Sequence, residues 1–299
     1  GGEVAFTALV PFRVEADTEA LLYFNSSRPY RASLDGALLF ASLMWASTFS
    51  LFKVAWEEVD PVAFTALRFG TMVVVAAVVV LAVRDRVRLR RSDLPLIVAS
   101  GLTGYFLYQM AFVLGLDRTS AVASAIIVNT HPVFSVLFLA LAGRERPGRA
   151  QWAGVAAGFV GVAVFLGVLD AFRGATWGDL LSLVAAASFG AYGVINQPLA
   201  ARYPGRELMA YTLGVGGVLI FLAGLPAVVR QDWSALSGGT WLIMVYAVVG
   251  PVYLAYGLWN WAIGKRGVTR TVVYGFTTPV LAGVFAVLLL GESVRVRQA

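Results

Sequence analysis

The single histidine, His131, has the most distinctive chemistry in this sequence, and it falls within an apolar run. Ser124, Val128 and Ser135 share its helical face, and Pro132 follows it directly. An ionisable group inside an apolar span is costly and is a functional candidate by default. His131 could bind a substrate by hydrogen bonding or titrate near neutral pH. The alternative is a neutral histidine bonded to a nearby carbonyl, and we favour a cavity-lining role.

Aromatic and amide side chains form a second group. Tyr105, Tyr108, Gln109 and Phe112 recur at spacings of three and four, which place them on one helical face. Aromatic walls with a few amides suit an amphipathic organic solute better than a bare ion. Each single ring could instead face lipid or belong to an interfacial belt.

Both groups lie in segments that occur twice. Pro132 recurs as Pro279 and Glu145 as Glu292 (279 − 132 = 292 − 145 = 147), within the segments HPVFSVLFLALAGRE and TPVLAGVFAVLLLGE. Duplicated hydrophobic spans with matching prolines are typical of a transporter with a pseudo-symmetric midplane site. Proline frees a carbonyl that protein or water must cover, so both prolines are expected to face the interior as kink or gating positions. A plain kink with close packing of small residues is the alternative.

The repeat also pairs the candidate residues across the two halves. Trp45 has Tyr192 as its mate, and the second copies of the two polar faces supply Tyr256, Trp259 and Thr278. Lipid-facing packing explains these rings less well as a set, because the repeat places them at equivalent positions. The candidate substrate-binding residues are Trp45, Tyr108, Gln109, His131, Tyr192, Asn196, Tyr256, Trp259 and Thr278.

Composition identifies the repeated elements as membrane spans. Of the 299 residues, 59% are apolar and 13% are charged, and the mean hydropathy is +0.77. These values are typical of an all-α polytopic membrane protein, since an open sheet edge cannot satisfy its backbone in lipid. Apolar runs of about 20 residues, the length that crosses hydrocarbon, predict nine helical spans, numbered 1 to 9. They lie near 35–55, 61–83, 94–115, 120–142, 150–169, 177–200, 207–229, 240–263 and 268–290.

Charge alternates along the connections between the spans. Those after spans 2, 4, 6 and 8 are rich in arginine and lysine, whereas the connection after span 1 holds Glu57, Glu58 and Asp60 and no cation. The positive-inside rule then predicts a cytoplasmic N-terminus and cytoplasmic even-numbered connections. The net charge of +6 therefore needs no nucleic acid as a partner.

The repeats define the expected domains. Residues 28–170 form the first repeat, with helices 1 to 5, and residues 171–299 form the second, with helices 6 to 9 and a tenth helix that symmetry predicts but the sequence does not reveal. Five crossings invert the second copy, so Glu145 and Glu292 should lie on opposite sides of the membrane. We exclude residues 1–27 from the fold as a tail of artificial or misassigned origin.

Several chemistries are absent from the sequence, which has no cysteine, no GxxxxGK[ST] phosphate loop and no HExxH pair. We therefore predict no metal, no cofactor and no enzymatic activity. The acidic residues lie in connections, at span ends or in the tail, which argues against coupling through a buried carboxylate. Lys53 and Arg68 lie within about two helical turns of the outer surface. Snorkelling explains Lys53, whereas Arg68 either binds a substrate carboxylate or makes an ion pair or carbonyl contact.

Several segments together resemble the EamA branch of the drug/metabolite transporter superfamily. They read WASTF in span 1, DPVAFTALRF at span 2, YFLYQMAFVLGLDRTSAVASAIIVNTHPVF in spans 3 and 4, and YLAYGLWNWAIGKRGVTRTVVYGFTTPVLAGVFAVLLLGE in spans 8 and 9. Within the branch, the stretches AYGLWNWAI and YGFTTPVLAG are most similar to the YddG-type aromatic amino acid exporters. The resemblance implies a ten-helix basket around a central cavity, with both termini cytoplasmic. The cavity residues that it implies are Trp45, Tyr108, His131, Tyr192, Trp259 and Thr278.

The sequence and the resemblance together predict a secondary carrier. It would export amino acids, with aromatic ones as one candidate class, and related metabolites across a bacterial inner membrane by alternating access. A broad drug or metabolite exporter on the same fold is the first alternative, and a membrane scaffold or sensor without transport is the second. Its expected partners are a small-molecule substrate and the lipid bilayer, and the oligomeric state stays open.

Overall fold

The computed structural model describes residues 28–82, 89–143, 148–149, 152–154, 156–157, 160, 176–200, 202–255, 258–259, 262 and 273–292, and every element assigned in these ranges is helical. Four predicted features fall outside them: the tail 1–27, Glu145, Tyr256 and most of span 5.

The helices follow the predicted spans. Span 1 is Arg28–Ala55, span 2 Pro61–Ala82, span 6 Trp177–Ala200 and span 7 Gly205–Arg230. Span 3 consists of Leu94–Gly101, the π-helix Leu102–Leu107 and Tyr108–Asp117, after a 3-10 turn at Arg91–Asp93. Span 4 consists of Ala121–Val128 and His131–Leu141. Span 8 consists of Gly238–Val248 and the π-helix Val249–Leu254, after a 3-10 turn at Trp233–Ala235, and span 9 of the 3-10 helix Val273–Phe276 and Thr277–Leu290.

Length and apolar character confirm membrane crossing for most of these elements. Among the described residues, six helical stretches, corresponding to spans 1 to 4, 6 and 7, are long and apolar enough to cross a membrane. Shorter apolar helices, Gly238–Leu254 and Thr277–Leu290, lie within the predicted spans 8 and 9. The protein is therefore a multi-pass membrane protein.

Three spans begin at residues whose side chains satisfy exposed backbone donors. The Asp60 carboxylate accepts from the backbone N–H groups of Val62 and Ala63 ahead of span 2. Ser120 and Ser237 accept N–H bonds from residues three positions on, at the starts of spans 4 and 8. Such N-cap bonds fix where a helix begins, and all three lie in odd-numbered connections.

The packing of the spans follows the repeat. Span 2 packs along its repeat mate, span 7. The contact of span 1 with span 9 has its equivalent in the contact of span 6 with span 4, and the contact of span 3 with span 6 has its equivalent in that of span 8 with span 1. Exchanging each span for its repeat mate therefore gives the same set of contacts. The two repeats are thus related by a pseudo-two-fold axis.

The odd-numbered connections meet at one end of the molecule, which we call the odd end. Glu58, after span 1, accepts hydrogen bonds from Ser237 and Thr240 at the start of span 8. Glu292, after span 9, accepts from the backbone N–H of Ala121 at 2.8 Å, at the start of span 4. Glu292 thus lies at the odd end, whereas Glu145, its predicted counterpart on the other side of the membrane, is outside the described residues.

The opposite end, the even end, is formed by the connections after spans 2 and 6. Arg202 makes a salt bridge with Asp93, and the Tyr203 hydroxyl donates to the same carboxylate at 2.7 Å. The backbone N–H of Arg90 donates to that hydroxyl. Because the second and sixth connections meet at this end, spans 1 and 6 run in opposite directions, as an inverted repeat requires.

Backbone discontinuities occur at mirrored positions, and the sequence analysis did not predict their form. The π-helices Leu102–Leu107 and Val249–Leu254 are separated by the same displacement that relates Pro132 to Pro279. A two-residue turn, Asn129 and Thr130, breaks span 4, and span 9 changes from 3-10 to α-helix at the matching place. The expected kinks are therefore broken helices. Broken helices inside a membrane are tolerated where protein or a cavity covers them.

Candidate functional site

A hydrogen bond of the same type spans the break in span 4 and the break in span 9. The Thr130 hydroxyl donates to the Ile127 carbonyl at 2.6 Å, and the Thr277 hydroxyl donates to the Tyr274 carbonyl at 2.6 Å. Each threonine stands two positions before the proline of its repeat. The hydroxyl thus adds a hydrogen bond to a backbone carbonyl at each break, which helps to satisfy the backbone where the helix is interrupted inside the membrane.

His131 begins the second half of span 4 and faces span 6. Its ring meets the ring of Phe189 edge-on, with centroids 4.9 Å apart. Its carbonyl accepts from the Ser135 hydroxyl at 3.1 Å, and the same hydroxyl lies 3.4 Å from the Gly190 carbonyl. The predicted polar face of span 4 therefore packs against span 6.

Phe189 joins three predicted site residues into one aromatic group. Besides His131, its ring contacts Tyr108 at 4.7 Å and Tyr192 at 5.6 Å between centroids. We call His131, Tyr108, Phe189 and Tyr192 the aromatic group. The sequence analysis missed Phe189, although it lies three positions before Tyr192 and hence on the same helical face.

Tyr192 is held against the π-helix of span 3. A Cβ atom added to Gly104 would lie 2.2 Å from Cδ2 of Tyr192, so the ring occupies the space that the glycine leaves open. The Asn196 amide donates to the Tyr192 hydroxyl at 3.3 Å, and its oxygen accepts from the Ser100 hydroxyl. Asn196 thus orients Tyr192 and links span 6 to span 3.

Trp45 makes the mirrored contact in the other half. Its indole N–H donates to the Pro251 carbonyl at 2.8 Å, inside the π-helix of span 8. Pro251 is the repeat mate of Gly104, and Trp45 is the mate of Tyr192. The Trp45 and Trp259 rings lie 4.9 Å apart. One large ring therefore packs on a π-helix in each repeat.

The remaining predicted residues are placed differently. Thr278 is 2% exposed, and its hydroxyl has no hydrogen-bond partner among the described residues. Pro132 and Pro279 are half-buried near the starts of the second halves of spans 4 and 9. Gln109 contacts Arg68 and is not one of the aromatic group's members. The predicted role of Tyr256 lies outside the described residues.

Arg68 is a buried cation between spans 1, 2 and 3, with 3% of its surface exposed. One guanidinium nitrogen, Nη2, donates to Oε1 of Gln109 at 3.0 Å. The guanidinium carbon lies 4.9 Å from the ring centroid of Phe52 and 4.8 Å from that of Phe69. The predicted alternatives for Arg68 were a substrate carboxylate, or an ion pair or carbonyl contact, and the structure shows a contact with a side-chain carbonyl.

The electrostatics of the odd end depend on Glu58. Hydrogen bonds from the Ser237 backbone and from the Thr240 and Ser237 hydroxyls lower the pKa of Glu58 from its ordinary 4.5. The carboxylate is therefore charged at neutral pH and bridges the first and seventh connections. Metal binding has no candidate in the described ranges, where no three His, Asp or Glu side chains cluster closely enough to hold an ion.

Mirrored broken helices and π-helices, packed around aromatic side chains inside a membrane, define a transporter of the inverted-repeat class. The chain belongs to the EamA-like transporter family, whose model matches residues 33–167 and 176–299.

Two relatives illustrate the family. A protein of Streptantibioticus cattleyicolor, named a probable terminal-alkyne amino-acid exporter, is 31% identical over 86% of this chain and 85% of its own. A protein of Salmonella typhimurium, named a probable amino-acid metabolite efflux pump, is 25% identical over 87% of this chain and 88% of its own. A solved crystal structure with 24% identity matches 89% of this chain and 92% of its own with a TM-score of 0.62, which shows the shared fold.

Proposed function

We propose that this transporter is a secondary carrier that exports amino acids, aromatic ones among them, and related metabolites. The observation that carries the proposal is the aromatic group beside the break in span 4, with a mirrored ring contact on the π-helix of span 8. Rings with a few hydroxyl and amide groups suit an amphipathic organic solute. The names of the two relatives, an amino-acid exporter and a metabolite efflux pump, support the same solute class.

Alternating access of the two inverted repeats is the proposed mechanism. Residues 28–170 and 171–299 form the two units, and the mirrored breaks near Pro132 and Pro279 are the positions where each changes direction. The membrane is the bacterial inner membrane, with the even end cytoplasmic, because arginine and lysine concentrate in the even-numbered connections. The candidate binding residues are the nine predicted from the sequence together with Phe189.

Counterflow in liposomes tests the proposal. Purified protein is reconstituted, and exchange of labelled phenylalanine, threonine and a cationic drug is followed. The proposal expects protein-dependent exchange of at least one amino acid, weakened by Phe189→Ala. Phe138→Ala, which removes a ring of span 4 that lies outside the aromatic group, is the control.

Three outcomes are informative. Exchange of drug and metabolites without amino acids would favour the broad exporter, a function compatible with the metabolite efflux pump among the relatives. Absence of any flux from folded protein would overturn the carrier proposal and favour a scaffold or sensor. Equal exchange by the Phe189→Ala and wild-type proteins would remove the aromatic group from the binding site.

A further inference from the structure

Arg68 and Gln109 have a role that the proposed function does not specify. We propose that Arg68 binds the carboxylate of the transported solute and that Gln109 positions its guanidinium, so that the carrier selects solutes with a free carboxylate. The inference rests on the proposed carrier function and names the chemical group by which the site recognises its substrate.

The position of the Arg68 charge supports this role. Arg68 is 3% exposed, and it is the one buried cation among the described residues. It lies seven residues into span 2, about 10 Å along the helix from Pro61, and therefore inside the membrane. Ionisable groups at such depth are expensive and serve in general as sites for substrates or ions.

The contacts of the Arg68 guanidinium also support this role. Phe52 and Phe69 place their rings near its carbon, and Gln109 accepts a bond from Nη2. An amide oxygen and two ring faces orient a guanidinium without adding a negative charge. The planar fork of a guanidinium is suited to bidentate contact with a carboxylate.

The aromatic group, which includes the residue next to Gln109, supports the role as well. Gln109 is half-buried and follows Tyr108 directly in span 3, and the Tyr108 ring packs on Phe189. Gln109, which contacts the Arg68 guanidinium, and Tyr108, which belongs to the aromatic group, are therefore adjacent residues of one helix. An amphipathic solute with a carboxylate at one end and an apolar side chain at the other matches this arrangement.

The two repeats differ at the positions of Arg68 and Gln109. The threonine bonds at the two breaks are duplicated, as expected of contacts that the fold itself needs. Arg68, by contrast, has Val215 as its repeat mate, and Gln109 has Tyr256. A solute without two-fold symmetry needs only one carboxylate site, which explains why the pair occurs once.

A charge placed at Gln109 tests the proposal more sharply than removal of Arg68. Gln109→Glu supplies a resident carboxylate to Arg68 and should preserve the contact between spans 2 and 3 while occupying the site. We expect competition by phenylalanine for labelled exchange to weaken about tenfold or more, since hydrogen bonds to charged groups contribute on that scale. Competition by phenylalanine amide, which lacks the carboxylate, should change little.

Two further variants keep the test decisive. Arg68→Gln should abolish the preference of the wild type for phenylalanine over its amide. Lys53→Gln, which removes a half-buried cation from neighbouring span 1, should leave the preference intact. Melting temperatures measured in detergent report whether each variant is folded.

The outcomes separate the inference from the carrier proposal. Wild-type protein that exchanges phenylalanine and its amide equally well, or a folded Gln109→Glu variant that keeps the wild-type preference, would overturn the role of Arg68 and leave the carrier intact. Loss of exchange for both solutes to the same extent in Gln109→Glu would assign the pair to packing alone. Wild-type protein without flux of any solute would instead refute the carrier proposal.

Discussion

The two repeats share their backbone discontinuities but differ in their polar side chains. A π-helix interrupts span 3 and span 8 at matching positions, and a threonine bond closes the break in span 4 and in span 9. His131, however, has Thr278 as its mate, and Arg68 has Val215. The shared features permit both halves to bend in the same way, whereas the unshared ones are the groups proposed to bind a solute without symmetry.

The aromatic contacts are shared by the two repeats in position but not in hydrogen bonding. Trp45 and Tyr192 both pack a large ring on the π-helix of the other repeat, but the chemistry of each contact differs. Trp45 donates to the Pro251 carbonyl, whereas Tyr192 fills the space above Gly104 and bonds Asn196 through its hydroxyl. The position of the ring is therefore duplicated, and its hydrogen bonding is specialised.

The largest expected effect comes from filling the space above Gly104. Gly104→Ala places a Cβ atom 2.2 Å from Cδ2 of Tyr192, and such overpacking costs about 1–3 kcal/mol. We expect a lower melting temperature and weaker exchange. Gly214→Ala is the matched control, because a Cβ atom there meets nothing within 4 Å. Equal melting temperatures for the two variants would show that Tyr192 is not confined by the π-helix.

A smaller and symmetric effect is expected at the breaks. Thr130→Val and Thr277→Val each remove one hydroxyl bond to a carbonyl, a loss of about 1 kcal/mol. The comparison predicts similar drops in melting temperature for both variants. Thr71→Val, which removes an exposed hydroxyl bond within span 2, controls for the substitution. A drop confined to one repeat would break the equivalence of the two breaks.

The smallest expected effect concerns Glu58, whose repeat mate is Gly205. Hydrogen bonds lower the pKa of Glu58 from 4.5, so its contribution is present above pH 4.5 and is lost as the pH falls through the lowered pKa. Melting temperatures of wild-type and Glu58→Gln proteins should therefore converge from pH 7 towards pH 3. A constant difference across this range would contradict the assignment.

Hydropathy, charge alternation and the repeat together predicted the helical class, the span positions and the inversion. These properties follow from the membrane, which demands apolar length and satisfied backbone bonds whatever the side chains are. Glu292 illustrates the point, since its side of the membrane follows from counting crossings. The family resemblance was confirmed by the match of both halves to one family model.

The site was predicted less completely, because tertiary contacts decide it. The π-helices at Leu102–Leu107 and Val249–Leu254 have no periodicity of their own that would distinguish them from an α-helix. Phe189 was missed because its repeat mate is Ser42, so symmetry gave no signal. Gln109 was predicted as a site residue, and its bond to Arg68 on another span is a pairing that spacing along one helix cannot reveal.

Reversible closure of the odd end tests the central claim, alternating access of two inverted repeats, most directly. Glu58 and Thr240 are in contact across the two repeats at 2.8 Å, and the chain has no cysteine of its own. Glu58→Cys with Thr240→Cys therefore allows one defined cross-link by a bifunctional thiol reagent that carries a reducible bond. We predict that cross-linking arrests phenylalanine counterflow in liposomes and that reduction of the reagent restores it. Unchanged counterflow by protein shown to be fully cross-linked would contradict the claim.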